Sequence, residues 1–249
     1  MKAYTQDFYA NRHANTVHSA HTILSIVLSR IPAVHSAVDL GCGIGTWLSV
    51  LQDKGVREIQ GMDGSWVDQE LLEIPRTSFK QVDLGTADLA LPRRYDLAMS
   101  LEVAEHLPAE RARDFVRSLT ALSDYVLFSA AVPFQGGINH VNEQWQHYWA
   151  DLFADLGYLV HDFIRPQIWT DSAIPYWYRQ NIFLYARQRL QPAGAADIAT
   201  NAPSTLPLDV VHPELYLSKA RAQDGVKRSF RVFGRSVRDY VASKLGHAH

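Results

Sequence analysis

The stretch VDLGCGIGT, residues 38–46, constrains this chain more than any other. AVDL reads as a short buried strand, glycines 41, 43 and 45 form a turn, and TWLSVLQDKG carries a helical pattern that Gly55 ends. A strand that runs through a glycine turn into a helix is the opening unit of an open α/β sheet. In such sheets ligands bind beyond the carboxyl ends of the strands. Glycine there allows positive φ and close approach of the backbone to a ligand.

The alternation continues. EIQGMD, FKQVDL, YDLAMSL and YVLFSAAV read as further strands, ERARDFVRSLTAL and NEQWQHYWADLFADLG as helices, and YLVHDFIR and NIFLYAR as a last pair of strands. Residues 17–31 place apolar side chains at helical spacing before Pro32, as an N-terminal helical cap. This pattern predicts an α/β fold with a mainly parallel sheet and helices on both faces. Residues 1–187 form that domain, with the cap at 1–31. Residues 188–213, rich in Ala, Pro and small polar residues, read as a linker or surface-hugging loop. Residues 214–249 hold eight Lys/Arg and three Asp/Glu, so the tail carries +5 and the remainder −7. Within it, residues 226–245 have the spacing of a basic amphipathic helix. Such a helix can touch an anionic membrane surface, pack on the domain or self-associate.

The net charge of −2 gives no reason to favour nucleic acid as a partner. With Cys42 the single cysteine, no internal disulfide forms, and a cytoplasmic location fits. The opening residues lack the apolar core of a signal peptide. No apolar run approaches the ~20 residues of a membrane span.

The glycine turn excludes two ligands. A dinucleotide turn wants a third glycine where this chain has Thr46, and a phosphate-binding P-loop wants a Lys-Ser/Thr pair that is missing. Asp39, two residues before the first glycine, suits an ammonium group and not a pyrophosphate. Asp63 ends the second strand about 20 residues on, where an acid accepts from ribose hydroxyls. Asp83 ends the third strand, placed for the exocyclic amine of a base.

The order VDLGCGIG, GMDGS, VDL, LEVAEHLP resembles the class I S-adenosylmethionine-dependent methyltransferases over roughly residues 15–187. The resemblance implies a Rossmann-like seven-stranded sheet whose last strand is antiparallel. It implies S-adenosylmethionine as cofactor, held by Asp39, Gly41, Gly43, Asp63, Gly64, Asp83, Leu84 and Glu102. The methyl group would point toward the ends of the fourth and fifth strands.

LEVAEHL, residues 101–107, follows the fourth strand. A helical turn there would put Glu102, Glu105 and His106 on one face, and His140 in GGINHVNEQW supplies a fourth group. Two carboxylates and imidazoles suit Mg²⁺, Mn²⁺ or Zn²⁺. The stretch is similar to ExxEH in the ubiquinone-biosynthesis O-methyltransferases and the small-RNA 2′-O-methyltransferases, although most of the RNA group's later motif is absent. Equally open is a metal-free site with His106 or His140 as general base and Glu105 beside it, or polar trim alone.

Asn142, Glu143, Trp145, Trp177 and Arg179 are candidate acceptor contacts, since aromatic faces beside polar groups suit a polyhydroxylated ring. Trp145 and Trp149, at helical spacing, can equally be core residues, and Arg179 a structural cation. GG-x-x-HVNEQW with a later WYRQN looks like a bacterial subfamily that accompanies glycan and secondary-metabolite assembly. The expected function is methyl transfer to a hydroxyl of a small acceptor, a sugar or glycan. The rivals are N- or carboxyl-directed transfer, and a catalytically silent cofactor-binding scaffold.

Overall fold

The computed structural model describes residues 6–86, 93–188, 190, 207–223 and 233. After helix α1 (Gln6–Leu28) come β1 (Ser36–Leu40), α2 (Thr46–Asp53), β2 (Glu58–Asp63) and β3 (Phe79–Gln81). β4 (Leu97–Leu101), α3 (Ala112–Leu122), β5 (Tyr125–Ser129) and α4 (Gln146–Ala154) follow. β6 (Leu159–His161), short helices α5 (Arg165–Ile168) and α6 (Tyr176–Asn181), and β7 (Phe183–Ala186) complete the sheet.

Seven strands lie in the order β3-β2-β1-β4-β5-β7-β6. β7 pairs antiparallel with both β5 and β6, and every other pairing is parallel. The central strands are buried on both faces because successive side chains feed two cores. Ala37, Leu97, Met99, Leu127 and Leu184 join the core of α1 and α2, whereas Val38, Ala98, Val126, Phe128 and Tyr185 join that of α3 and α4. In α1 the stripe Ala20, Ile23, Leu24, Val27 is fully buried, the spacing of one helical face. The strand order reverses between β1 and β4, which makes the carboxyl ends of these two strands the place for a ligand.

The elements follow the sequence expectation with local differences. β3 stops at Gln81, so Asp83 lies beyond the strand. NEQWQHYW is not helical throughout: Trp145 is extended and α4 begins at Gln146, leaving Asn142 and Glu143 on a loop. YRQN, flanking the last expected strand, closes α6.

The chain divides into two compact units, residues 1–210 and 211–249. The end of the expected linker is bound into the first. The Arg165 guanidinium donates to the Leu208 carbonyl at 3.0 Å, Asp209 pairs with His147, and Gln146 donates to the Val210 carbonyl at 2.9 Å. Arg165 is itself buried, paired with Asp162 and stacked on Phe183. The described residues of the second unit include helix α7 (Pro213–Gln223) and the helical Phe233. The basic helix expected over 226–245 lies, apart from Phe233, outside the described residues. Among those residues no helix is long and apolar enough to cross a membrane.

Candidate active site

At the carboxyl end of β1 the chain turns through Gly41, at φ +88°. A Cβ on Gly41 would lie 2.2 Å from the Val103 side chain, so glycine alone fits there. Asp63, at the end of β2, is held by two turns at once. One carboxylate oxygen accepts from the Gly43 amide at 2.7 Å, the other from the Gly64 amide at 2.7 Å. A carboxylate oxygen can accept more than one hydrogen bond, so Asp63 retains capacity for a diol. Asp83, past β3, accepts from the Gly85 amide at 2.9 Å. Asp39 is buried beneath the turn, and burial, followed by the charge of Asp63, pushes its carboxyl up to about 7.

These groups border a cavity of about 540 Å³. Gly41, Gly43, Asp63, Asp83 and Leu84 line one wall, as expected from the sequence, joined by Trp66 and Gly85. The rest of the lining is Glu102, Val103, His106, Leu107 and Pro108 with Ile138 and Asn139 from the loop after β5. Asp39 and Gly64 are not among the lining residues.

The LEVAEHL stretch does not form one helical face. Glu102 adopts φ +55°, and a 3₁₀ turn begins only at Ala104. With that kink Glu102 takes partners of its own. Its carboxylate accepts from Asn181 at 3.1 Å and from Gln135 at 2.9 Å. Glu105 instead points toward the histidines. Ligand atoms of Glu105, His106 and His140 all lie within 4.8 Å of one another, and the imidazole rings meet edge to face at 4.8 Å. The expected four-ligand set therefore reduces to three, with Glu102 outside it.

Glu105 is fully buried, and both its carboxylate oxygens lack a hydrogen-bond partner among the described residues. Burial, then the charge of Glu102, pushes its carboxyl up to about 9. Burial and then His140 lower the His106 pKa, which favours a neutral imidazole. His140 Nδ1 contacts Glu143 at 2.9 Å. A Cβ on Gly137 would lie 2.1 Å from His140 Nε2, so glycine leaves that nitrogen room. The orphaned carboxylate, two imidazoles and a carboxylate behind one of them fit a divalent cation, with the nitrogens favouring Zn²⁺ or Mn²⁺ over Mg²⁺.

A family model for a methyltransferase domain matches residues 10–176. The chain belongs to the methyltransferase-domain family. Its architecture is that of class I, and the methyl donor is S-adenosylmethionine. No curated protein matches the sequence. Among solved structures, the sugar N-methyltransferase KedS8 from Streptoalloteichus sp ATCC 53650 is similar at TM-score 0.56 and 16% identity, over 73% of this chain and 92% of that one. DesVI from Streptomyces venezuelae is similar at 0.54 and 16% identity, over 73% and 95%. Magnesium protoporphyrin IX methyltransferase from Synechocystis PCC 6803, with bound S-adenosylmethionine, reaches 0.50 at 19% identity, over 76% and 85%. At these identities the likeness is one of fold.

In this methyltransferase the expected acceptor residues do not gather at the cavity. Asn142 is 2% exposed, and its side-chain oxygen accepts from Gln144. Arg179 is 3% exposed and donates to the Trp169 carbonyl at 3.0 Å. Trp177 packs against the core. Helix α6 turns these last two inward. Trp145 is partly exposed, outside the lining. Glu143 braces the loop, accepting from the Phe134 amide at 2.8 Å and the Gly136 amide at 2.6 Å. The sequence expectation does not include Trp66, Ile138, Asn139 and Gln135. The position of Trp66, three residues after the strand-end Asp63, is a signal that could have found it. The others depend on the path of a loop.

Proposed function

We propose that this methyltransferase transfers the methyl group of S-adenosylmethionine to a hydroxyl of a small polyhydroxylated acceptor, a sugar or glycan. The observation that carries this reading is the imidazole of His106 in the cavity wall, with His140 and Glu105 behind it. A hydroxyl is a weak nucleophile until its proton is removed, so its methylation needs a base at the reacting oxygen. A free amine needs none. In this reading Gly41, Gly43, Asp63 and Asp83 bind the cofactor, while His106 takes the acceptor proton. Asp63 accepts from the ribose hydroxyls, and Asp39 offers its negative charge to an ammonium group. The walls of the cavity exclude water and align donor and acceptor.

The alternative reading is a divalent cation held by Glu105, His106 and His140, which would lower the pKa of a bound hydroxyl and make His106 a ligand instead of the base. Elemental analysis of wild type and Glu105→Ala separates the two: stoichiometric metal in the wild type alone supports the cation, and none in either protein leaves His106 as the base. Membership in the subfamily of glycan and secondary-metabolite assembly, and a cytoplasmic location, belong to the proposed reading. The motif GG-x-x-HVNEQW supports the first, and the single cysteine the second.

The deciding experiment is acceptor screening by mass spectrometry with matched hydroxyl and amine sugars. A gain of one methyl on hydroxyl acceptors is expected. Methylation of amine acceptors alone, with hydroxyl acceptors inert, overturns the reading.

A further inference from the structure

The loop that brings His140 to the site turns bulky apolar side chains outward. Phe134 is 84% exposed, Ile138 80% and Val141 65%, and Trp145 is partly exposed. A single exposed apolar side chain needs no explanation, but several on one loop beside a ligand cavity mark a contact surface. Fraying does not account for them, because the loop is tied down along its length. Glu143 accepts from the Phe134 and Gly136 amides. The Glu105 carbonyl accepts from the Val141 and Asn142 amides, and the Ala131 carbonyl from the Gln144 amide at 3.2 Å. Phe134 also holds φ +67°, in the left-handed region. A bulky residue is rare there, and a ring so exposed recovers nothing by packing on its own chain.

The loop is continuous with the cavity. Ile138 lines it, as does His106, whose ring meets that of His140. Phe134 and Val141 are not among the lining residues, so the loop carries apolar side chains both within the lining and outside it. Volume decides how much of an acceptor enters. Sites for one small molecule measure about 300–1,000 Å³. This cavity, of about 540 Å³, has to take both S-adenosylmethionine and the reacting group. Only a small piece of the acceptor fits beside the cofactor, and the remainder stays at the mouth. The loop surface it meets there is apolar.

We propose that the acceptor is amphipathic: one hydroxyl-bearing ring enters the cavity, and an apolar aglycone joined to it lies on Phe134, Ile138 and Val141. The inference deepens the proposed function and rests on the cavity being the methyl-transfer site. The apolar contact supplies binding energy remote from the reacting oxygen. A sugar without an aglycone is then a poor substrate, and its alkyl or aryl glycoside a good one. A surface for a second copy of the chain, or for a membrane, has no need to share Ile138 with the cavity.

Two arms test this on the full chain, in wild type, Phe134→Ser and Val141→Ser. Both side chains are exposed, so the fold does not rest on them. The first arm reads binding of the apolar dye N-phenyl-1-naphthylamine by fluorescence, with S-adenosylhomocysteine present. Octyl glucoside below its micellar concentration is expected to displace the dye and methyl glucoside to leave it. Each substitution should weaken dye binding about tenfold, the scale of one lost apolar side-chain contact. Dye affinity equal in all three proteins overturns the proposal. The second arm compares methyl, phenyl and octyl glycosides of matched hydroxyl and amine sugars as acceptors, by mass spectrometry and kinetics. The phenyl or octyl glycoside should show a KM about tenfold or more below that of the methyl glycoside at similar kcat, and both substitutions should close most of that gap. Preference for octyl assigns a chain as aglycone and preference for phenyl a ring, and either supports the proposal. Methyl glycosides as good as the others overturn it and leave the sugar reading standing. Transfer to amines alone overturns the hydroxyl reading, and the same comparison on the amine sugars still decides the apolar contact. If no sugar is methylated, the sugar reading fails and the dye decides the apolar contact. Equal loss on every acceptor, or effects confined to vesicle binding or dimerisation, also overturn the proposal.

Discussion

The two walls of the cavity are built on different principles. The wall formed at β1, β2 and after β3 is backbone and carboxylate: the Gly43 and Gly64 amides close on Asp63, and Asp83 closes on Gly85. The other is made of side chains carried by loops. Three non-glycine residues of those loops have positive φ, Glu102, Phe134 and Asn139. The Glu105 carbonyl, which accepts from the Val141 and Asn142 amides at 2.9 and 3.0 Å, ties one loop to the other. The groups of the first follow the ends of paired strands, whereas those of the second stand on loops that a scaffold can vary without disturbing the sheet. On the proposed function this is a division of labour, with the cofactor beyond the strand ends and the acceptor chemistry on the loops.

Substitutions on either wall can break that division. His106→Ala is expected to lower turnover most, by about 100-fold, the scale of a lost general base. Cofactor affinity should stay within about twofold, since in the proposed reading His106 acts on the acceptor. Single-turnover rates beside calorimetry check this, and a matching loss of cofactor affinity would merge the two walls. Asp63→Ala should weaken S-adenosylhomocysteine binding by about 1–3 kcal/mol, since it removes charge-assisted bonds and leaves two turn amides without their acceptor. Acceptor KM at saturating cofactor should not move. Unchanged calorimetric affinity would show that the ribose lies elsewhere.

Glu143→Ala comes next, with turnover reduced about tenfold through a misplaced His140, because one side chain holds that ring and two loop amides. Recovery in Glu143→Gln would point to loop bracing, and no recovery to the charge. The last prediction concerns stability and its pH dependence, not turnover. Asp39 has a folded pKa of about 7 against an ordinary 3.8, so the folded state binds its proton more tightly than the unfolded chain does. Its contribution to stability is complete below 3.8 and is lost as pH rises through about 7. Thermal midpoints of the cofactor-free protein should therefore fall less between these pH values in Asp39→Asn than in wild type. Parallel curves would remove Asp39 as the source.

Much of the first wall is legible in the amino-acid sequence. Periodicity sets out the helices and strands, and the residue following each strand marks the ligand end of an open sheet, so Gly41, Gly43, Asp63 and Asp83 can be named by position, and the family resemblance adds Leu84. The second wall is legible only in part. Glu105, His106 and His140 stand out by residue type and do come together. Glu102 joins them only if LEVAEHL is a regular helix, and a left-handed residue cannot be read from those letters. The residue types of Asn142, Trp177 and Arg179 suggest an outward, ligand-facing role, and the fold turns them inward.

By itself the sequence determined the α/β architecture, the glycine turn and the acids at the strand ends, because these depend on local patterns of two, three and four residues. The tertiary structure alone decided which polar groups face the cavity and which face one another. Glu102 meets Asn181, 79 positions away, and Gln135 meets Gln180, 45 positions away. Such pairings depend on the packing of α6 and the β5 loop over β4, and no local pattern encodes them.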